Sequence, residues 1–173
     1  MEVFEAILSR RSTRIFKNEP VQKELILKII EADMRAPSAG DQQPWHFIIV
    51  EDREILDTIP TIAPNAKMCE TAAAAIIICG DLKLEKHEGY WVQDCSAAAE
   101  NILLAAHALG LGAVWTGVFP RNDRVKNAKK LFSMPENAIP LCIIPIGRPA
   151  EKQEPVKTFN PERVYLNCWG DKY

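Results

Sequence analysis

At 173 residues the chain suits one domain and can bury a sizeable core. A formal charge of −2 at pH 7 gives it no overall attraction to nucleic acid or to an anionic membrane. Hydrophobic residues at 47% and charged residues at 25% are ordinary for a globular protein, and no apolar run reaches the ~18 residues of a membrane-spanning helix.

In chain order, Val3, Phe4, Ile7 and Leu8 recur at helical spacing, so residues 2–10 read as a short amphipathic helix. Its acidic start, Met1-Glu2-Val3-Phe4-Glu5, is unlike a signal peptide. Arg10-Arg11-Ser12-Thr13-Arg14 follows, with three guanidiniums and two hydroxyls in five residues. The cluster reads either as a solvated charge run or as a phosphate site, because arginine holds phosphate with a forked pair of hydrogen bonds and a hydroxyl adds a third. A nucleic-acid patch fits poorly, because the cluster is short and no aromatics alternate with it.

Residues 21–35 form a second amphipathic helix carrying Leu25, Ile26, Ile29, Ile30 and Met34, ended by Pro37. The next stretch, Arg35 to Trp45, has two prolines, a glycine and several hydrogen-bonding side chains. Too stiff for a linker and unable to continue a helix, it reads as a rigid loop, either a polar helix-to-strand connection or a place where polar groups meet a ligand. Residues 46–50 read as a buried strand. Asp52 is placed to cap a helix over 53–59, with Pro60 and Pro64 breaking the chain afterwards.

Residues 73–79 form a second buried strand, and 81–90 a polar loop. The longest helix, 92–109, is apolar nearly all round, which suggests burial against a partner subunit as well as the core. Gly110 is placed to end it in left-handed conformation. Residues 113–119 read as a third strand weakened by Gly117, a residue type that often marks close approach of a ligand or another backbone. A charged surface helix spans 122–132. Residues 141–147 form a fourth strand, which Pro145 should place partly at an edge or bulge, and Arg148 follows. The tail 150–173 is polar first and then carries Phe159, Val164, Tyr165 and Trp169, as an arm that docks on a second subunit would.

Cys69, Cys79, Cys95, Cys142 and Cys168 are odd in number and contain no Cys-x-x-Cys pair. Reduced thiols and a cytoplasmic location are therefore expected. His46, His87 and His107 show no metal-ligand spacing, and His107 reads as a core or interface residue. The first strand is followed by no glycine-rich dinucleotide fingerprint. Gly-x-Ser-x-Gly, a phosphate-binding Gly-Lys-Ser/Thr and internal repeats are also lacking. Any redox or transfer chemistry is then left to a bound cofactor, and no catalytic side chain is named.

Four motifs occur in order: Arg10 to Arg14; Ala36-Pro37-Ser38-Ala39-Gly40 with Gln42-Gln43-Pro44-Trp45; Gly110-Leu111-Gly112 with Trp115-Thr116-Gly117; and Ile146-Gly147-Arg148-Pro149. Together they resemble the nitroreductase family of FMN-dependent oxidoreductases in its short form. The resemblance implies an α+β fold with a central, mainly antiparallel sheet among helices. It implies an intertwined homodimer with two FMN sites, each lined by both subunits. Residues 1–149 would form the FMN-binding domain and 150–173 an arm on the partner.

By position, Arg10, Arg11, Ser12 and Arg14 match the family's phosphate and ribityl contacts, and Arg148 after Gly147 a second phosphate contact. Pro37, Ser38 and Ala39 match the loop that the partner contributes, with Asp41 and Gln43 beside it. Thr116 and Gly117 match the segment that meets the isoalloxazine ring. Relatives commonly have asparagine where this chain has Asp41. The activity implied is ping-pong transfer from NADH or NADPH through FMN to a nitroaromatic, a quinone or another flavin. A flavin store or sensor without turnover is the alternative, as is a dehalogenating or flavin-fragmenting relative. Such relatives close a lid over the substrate, and 81–90 is the one short candidate here.

Overall fold

The computed structural model describes every residue except Pro155, Lys157 and Tyr173, so the expected arm 150–173 lies partly outside the described residues. In chain order the elements are α1 (Val3–Ser9), α2 (Lys23–Asp33), β1 (Trp45–Val50), α3 (Arg53–Ile62), β2 (Ala74–Asp81), α4 (Trp91–Ala108), β3 (Gly112–Ala113), β4 (Thr116–Gly117), α5 (Asn122–Leu131) and β5 (Ala138–Gly147). Short 3-10 turns sit at Ala39–Asp41, Pro64–Glu70 and Pro161–Arg163.

The sheet runs β1-β2-β5-β3, with β4 also on β5, and all its strand pairs are antiparallel. This is the α+β arrangement expected. Its centre is a ladder of isoleucines, with Ile76 opposite Ile144 and Ile77 opposite Ile143. Side chains alternate across the sheet. Ile76, Ile78, Ile144 and Ile146 therefore meet α2 and α4, while Ala75, Ile77 and Ile143 meet α3 and α5. Each of these isoleucines is fully buried and contributes on the order of 1.5–3 kcal/mol.

Several expectations change. Residues 46–50 are not a buried strand. β1 is an edge, and His46 and Ile49 are exposed. Pro60 does not break the chain, because α3 continues to Ile62 and the Ala63 N–H still reaches the Ile59 carbonyl at 2.9 Å. The Asp52 cap is present, accepting from the Ile55 N–H at 3.0 Å. The expected strand 113–119 is two short pieces, β3 and β4.

The irregularity expected in β5 is present as a register shift between Pro140 and Cys142, opposite Ile78 and Cys79, while Pro145 itself lies in the interior strand away from it. The Ile143 carbonyl turns toward β4, where it accepts the Thr116 hydroxyl at 2.6 Å. Two residues on, Pro145 turns the same way and meets the interruption between β3 and β4, so its missing N–H leaves no ladder bond unmade.

Helix α4 ends as expected. Gly110 takes φ +75°, its N–H reaches the His107 carbonyl at 3.0 Å, and the Leu111 N–H reaches the Ala106 carbonyl at 2.8 Å. One side of α4 fills the core through Cys95, Ala98, Ile102 and Ala106. The other lines an apolar cavity of about 400 Å³ with Val3 and Ile7 of α1.

Candidate functional site

The arginine cluster is positioned by backbone pairing. Ser12 bridges Ala113 in parallel and Phe16 bridges Pro149. The Thr13 N–H reaches the Ala113 carbonyl at 3.0 Å, the Lys17 N–H the Arg148 carbonyl at 2.9 Å, and the Ala150 N–H the Ile15 carbonyl at 3.0 Å. Residues 12–17 are thus strapped between β3 and the continuation of β5. That strap brings Arg10, Arg11, Ser12 and Arg14 to the same end of the sheet as Gly147 and Arg148.

Two glycines make the strap possible. A Cβ on Gly112 would come within 2.6 Å of the buried Thr13 side chain, and one on Gly147 within 2.9 Å of the Phe16 ring. Gly147 is therefore required by close packing, whatever else it meets.

The guanidiniums are lightly committed. Arg10 pairs with Glu100 at 3.4 Å and Arg148 with Glu19 at 3.3 Å, all partly exposed. Exposed pairs of this kind contribute roughly 0–1 kcal/mol, so an anion can displace them. Among the described residues neither Arg11 nor Arg14 pairs with a carboxylate. Arg11 lines a cavity of about 420 Å³ with Ser9, Thr13 and His107. Ser9 Oγ lies 2.7 Å from His107 Nε2, and burial, then the charge of Arg10, lowers the His107 pKa. His107 faces this site and not only the core.

The second cluster is the loop from Pro37 to Gln43. Gly40, Asp41 and Gln43 all take left-handed φ, at +53°, +52° and +43°. For two residues with a Cβ this is strained backbone, held by its surroundings. Ser38 Oγ accepts the Gln43 N–H at 3.0 Å, and Asp41 Oδ1 accepts from Gln43 Nε2 at 2.7 Å.

Two residues with no site role assigned from the sequence anchor this loop. Buried Asp94, in the first turn of α4, accepts the Ala39 N–H at 2.9 Å and Gln42 Nε2 at 2.6 Å. The positive end of the helix favours a carboxylate there. Gln42 in turn accepts the Lys86 and His87 N–H groups at 2.7 and 3.0 Å. Polarity inside an otherwise apolar helix was the sign available in Asp94.

The third cluster, Thr116 and Gly117, is on β4. The Thr116 hydroxyl is buried and spent on the Ile143 carbonyl, and the Gly117 carbonyl accepts from Arg124 at 2.9 Å. Within one chain the clusters are not all brought together. The loop is tied to Asp94 near the start of α4, and the arginine strap meets Glu100 and His107. Asp94 and His107 are about 20 Å apart along the helix.

This arrangement coincides with a known one. Residues 7–75 and 61–148 match the sequence profile of the nitroreductase family. A protein of Methanothermobacter thermautotrophicus, provisionally named NADH dehydrogenase/NAD(P)H nitroreductase, is 53% identical over 169 residues, covering 98% of this chain and 88% of that one. The crystal structure of a similarly named protein from Parabacteroides distasonis superposes with a TM-score of 0.93 at 44% identity, over 96% of this chain and 98% of that one. An FMN-dependent nitroreductase from Clostridium difficile superposes with a TM-score of 0.90 at 30% identity, over 96% and 100%. Fold, motif order and identity over almost the full length agree, and the chain belongs to the nitroreductase family.

Proposed function

We propose that the protein is an NAD(P)H-dependent FMN oxidoreductase that passes electrons to nitroaromatic, quinone or flavin acceptors in ping-pong order. The observation that carries this reading is the strap, which gathers Arg10, Arg11, Ser12, Arg14 and Arg148 at one end of the sheet, with two of the four guanidiniums free of carboxylates among the described residues. The donor set fits FMN. A phosphate dianion needs charged forked donors, a polyol needs hydroxyls, and the acceptor-rich ring edge needs amides such as Gln43. FMN-dependence in the Clostridium difficile relative supports the same cofactor.

In this reading Arg10, Arg11, Arg14 and Arg148 hold the phosphate and Ser12 the ribityl chain. Pro37, Ser38 and Ala39 of a second subunit pack on the ring, with Asp41 and Gln43 at its polar edge. Backbone at Thr116 and Gly117 meets the other side, since the Thr116 hydroxyl is already occupied. Bound FMN would supply reversible two-electron transfer.

The homodimer is supported by the apolar outer faces of α1 and α4. Val3, Phe4, Ile7 and Leu8 are each more than half exposed in the single chain. The arm 150–173, with Phe159 and Trp169 exposed, is assigned to the partner's surface. Free thiols at all five cysteines support a cytoplasmic location. Among the described residues no helix is long and apolar enough to cross a membrane.

Anaerobic mixing of the flavin-loaded protein with NADH or NADPH tests the reading. Bleaching, followed by recovery of the flavin colour when a quinone or nitroarene is added, is the expected result. A flavin that stays oxidised with both nicotinamides would make the protein a store or sensor instead.

A further inference from the structure

The polar residues 81–90, the one lid candidate in the sequence, are tied down at several points. Asp81 Oδ1 accepts the Lys83 N–H at 2.8 Å, and Gln42 accepts the Lys86 and His87 N–H groups. Glu85 accepts the Trp91 N–H at 3.1 Å, at the start of α4. Gln42 is itself buried and locked to Asp94. Opening this segment as a lid would leave the Gln42 carbonyl buried without partners.

The clamp has a consequence for what the segment presents. The His87 ring lies over Gly40, where a Cβ would run into Nε2, so glycine at 40 makes room for the imidazole. Tyr90 meets His87 edge to face, with centroids 6.2 Å apart. Tyr90 and Gln93 also line one side of a groove of about 330 Å³ whose other side is Pro37-Ser38-Ala39. Two aromatic side chains, each with a polar hydrogen-bonding group, thus stand beside the loop assigned above to the flavin ring.

We propose that residues 84–90 are a fixed wall of the acceptor site, and that His87 on this wall selects planar acceptors carrying a hydrogen-bond-accepting oxygen. The inference rests on the functional reading above. A neutral imidazole has one N–H donor in either tautomer, and the rings give a flat surface for an aromatic acceptor. Reduction of a quinone adds a hydride, with electrons from NAD(P)H, and then a proton from water. Charge builds on the carbonyl oxygen before that proton arrives, and a fixed donor stabilises it there. An acceptor that takes electrons without a hydrogen-bonded oxygen, such as ferricyanide, gains nothing from His87.

The test uses full-length, FMN-loaded protein with His87→Phe, which keeps a ring, and His87→Gln, which keeps a donor. Benzoate, which is not reduced, is titrated against the oxidised protein by its effect on the flavin spectrum. The kcat/KM values for 1,4-benzoquinone and ferricyanide are compared as a ratio. His87→Phe should weaken benzoate binding and lower the quinone-to-ferricyanide ratio about tenfold, with His87→Gln recovering most of both. Amide exchange at Lys86 and His87 should be slow in the wild type and fast in Gln42→Ala.

An unchanged benzoate affinity and ratio in His87→Phe would overturn the role of His87, and fast exchange in the wild type would overturn the fixed wall. Failure of the wild type to be reduced by either nicotinamide would instead overturn the functional reading, and this inference with it.

Discussion

Gln43 Nε2 donates to Asp41 Oδ1 across 2.7 Å, from one left-handed residue back to another. The bond fixes the side-chain amide of Gln43 and leaves Asp41 exposed in the single chain, unpaired with any arginine among the described residues. An ionised Asp41 near the ring would oppose the negative charge that reduction leaves there. Unit charges ~8 Å apart, between the limits of water and a protein surface, correspond to roughly 10–40 mV for a two-electron couple.

Asp41→Asn is therefore expected to raise the FMN midpoint potential by tens of millivolts at pH 7, with Gln43 keeping its partner through the new amide oxygen. Spectroelectrochemical titration from pH 5 to 9 measures this. Equal potentials at every pH would mean that Asp41 does not tune the flavin.

Arg10→Ala and Arg148→Ala should each weaken FMN binding by roughly 1.5–3 kcal/mol, the range for a hydrogen bond to a charged group. Riboflavin lacks the phosphate and should bind both variants as it binds the wild type. Because Glu19 holds Arg148 at 3.3 Å in the free site, Glu19→Gln should leave FMN affinity unchanged or slightly tighter. Fluorescence titration with both flavins checks all three variants. Parallel losses of FMN and riboflavin would remove these arginines from the phosphate site.

The elements were legible where one period dominates, and they were misjudged where two rules compete. Ile76 to Ile78 and Ile143 to Ile144 read as buried strands and are. Pro145 suggested an edge or bulge in β5; the bulge is there at Pro140 to Cys142, but the gap between β3 and β4 that accommodates Pro145 itself is made by distant residues and is not a local fact. The arginine cluster was visible because charge density is local. The anchoring role of Gln42 was not, since its bonds reach residues 44 to 52 positions away, and neither was the closeness of His87 to Gly40.

Deleting residues 150–173 would also remove the Ala150 bond to Ile15 and the Gln153 bond to Ser12, so it would damage the strap within one chain. Truncation after Thr158 is the cleaner test of the arm. It removes exposed Phe159 and the stacked Tyr165–Trp169 pair, whose centroids are 4.8 Å apart, and leaves the strap intact. The full chain should sediment as a dimer at micromolar concentration. The truncated chain should dissociate more readily and lose FMN in step. A flavin-loaded monomer of the full chain would refute the shared site.

Asp33 gives the stability of the chain a pH dependence. It closes α2 with a fully buried carboxyl whose two oxygens have no hydrogen-bond partner among the described residues, just before the loop that carries Pro37 to Gln43. Burial pushes its pKa up from 3.8 to about 7. Cys95 of α4 and Cys142 of β5 are near enough to feel its charge, and a thiol carries no positive charge that could offset a carboxylate. With the folded pKa above the unfolded one, the folded chain holds the extra proton between pH ~4 and ~7. Stability should fall as pH rises through that window and level off above it, by roughly 2–4 kcal/mol in all. Asparagine keeps the shape and cannot ionise. Asp33→Asn should therefore be the more stable protein at pH 8, with the advantage shrinking toward pH 4.5. Denaturant unfolding of both proteins at pH 4.5, 6 and 8 isolates this residue, because every other titrating group is common to the pair. If the difference between the two proteins does not change with pH, the Asp33 carboxyl ionises without penalty and its burial imposes no pH dependence.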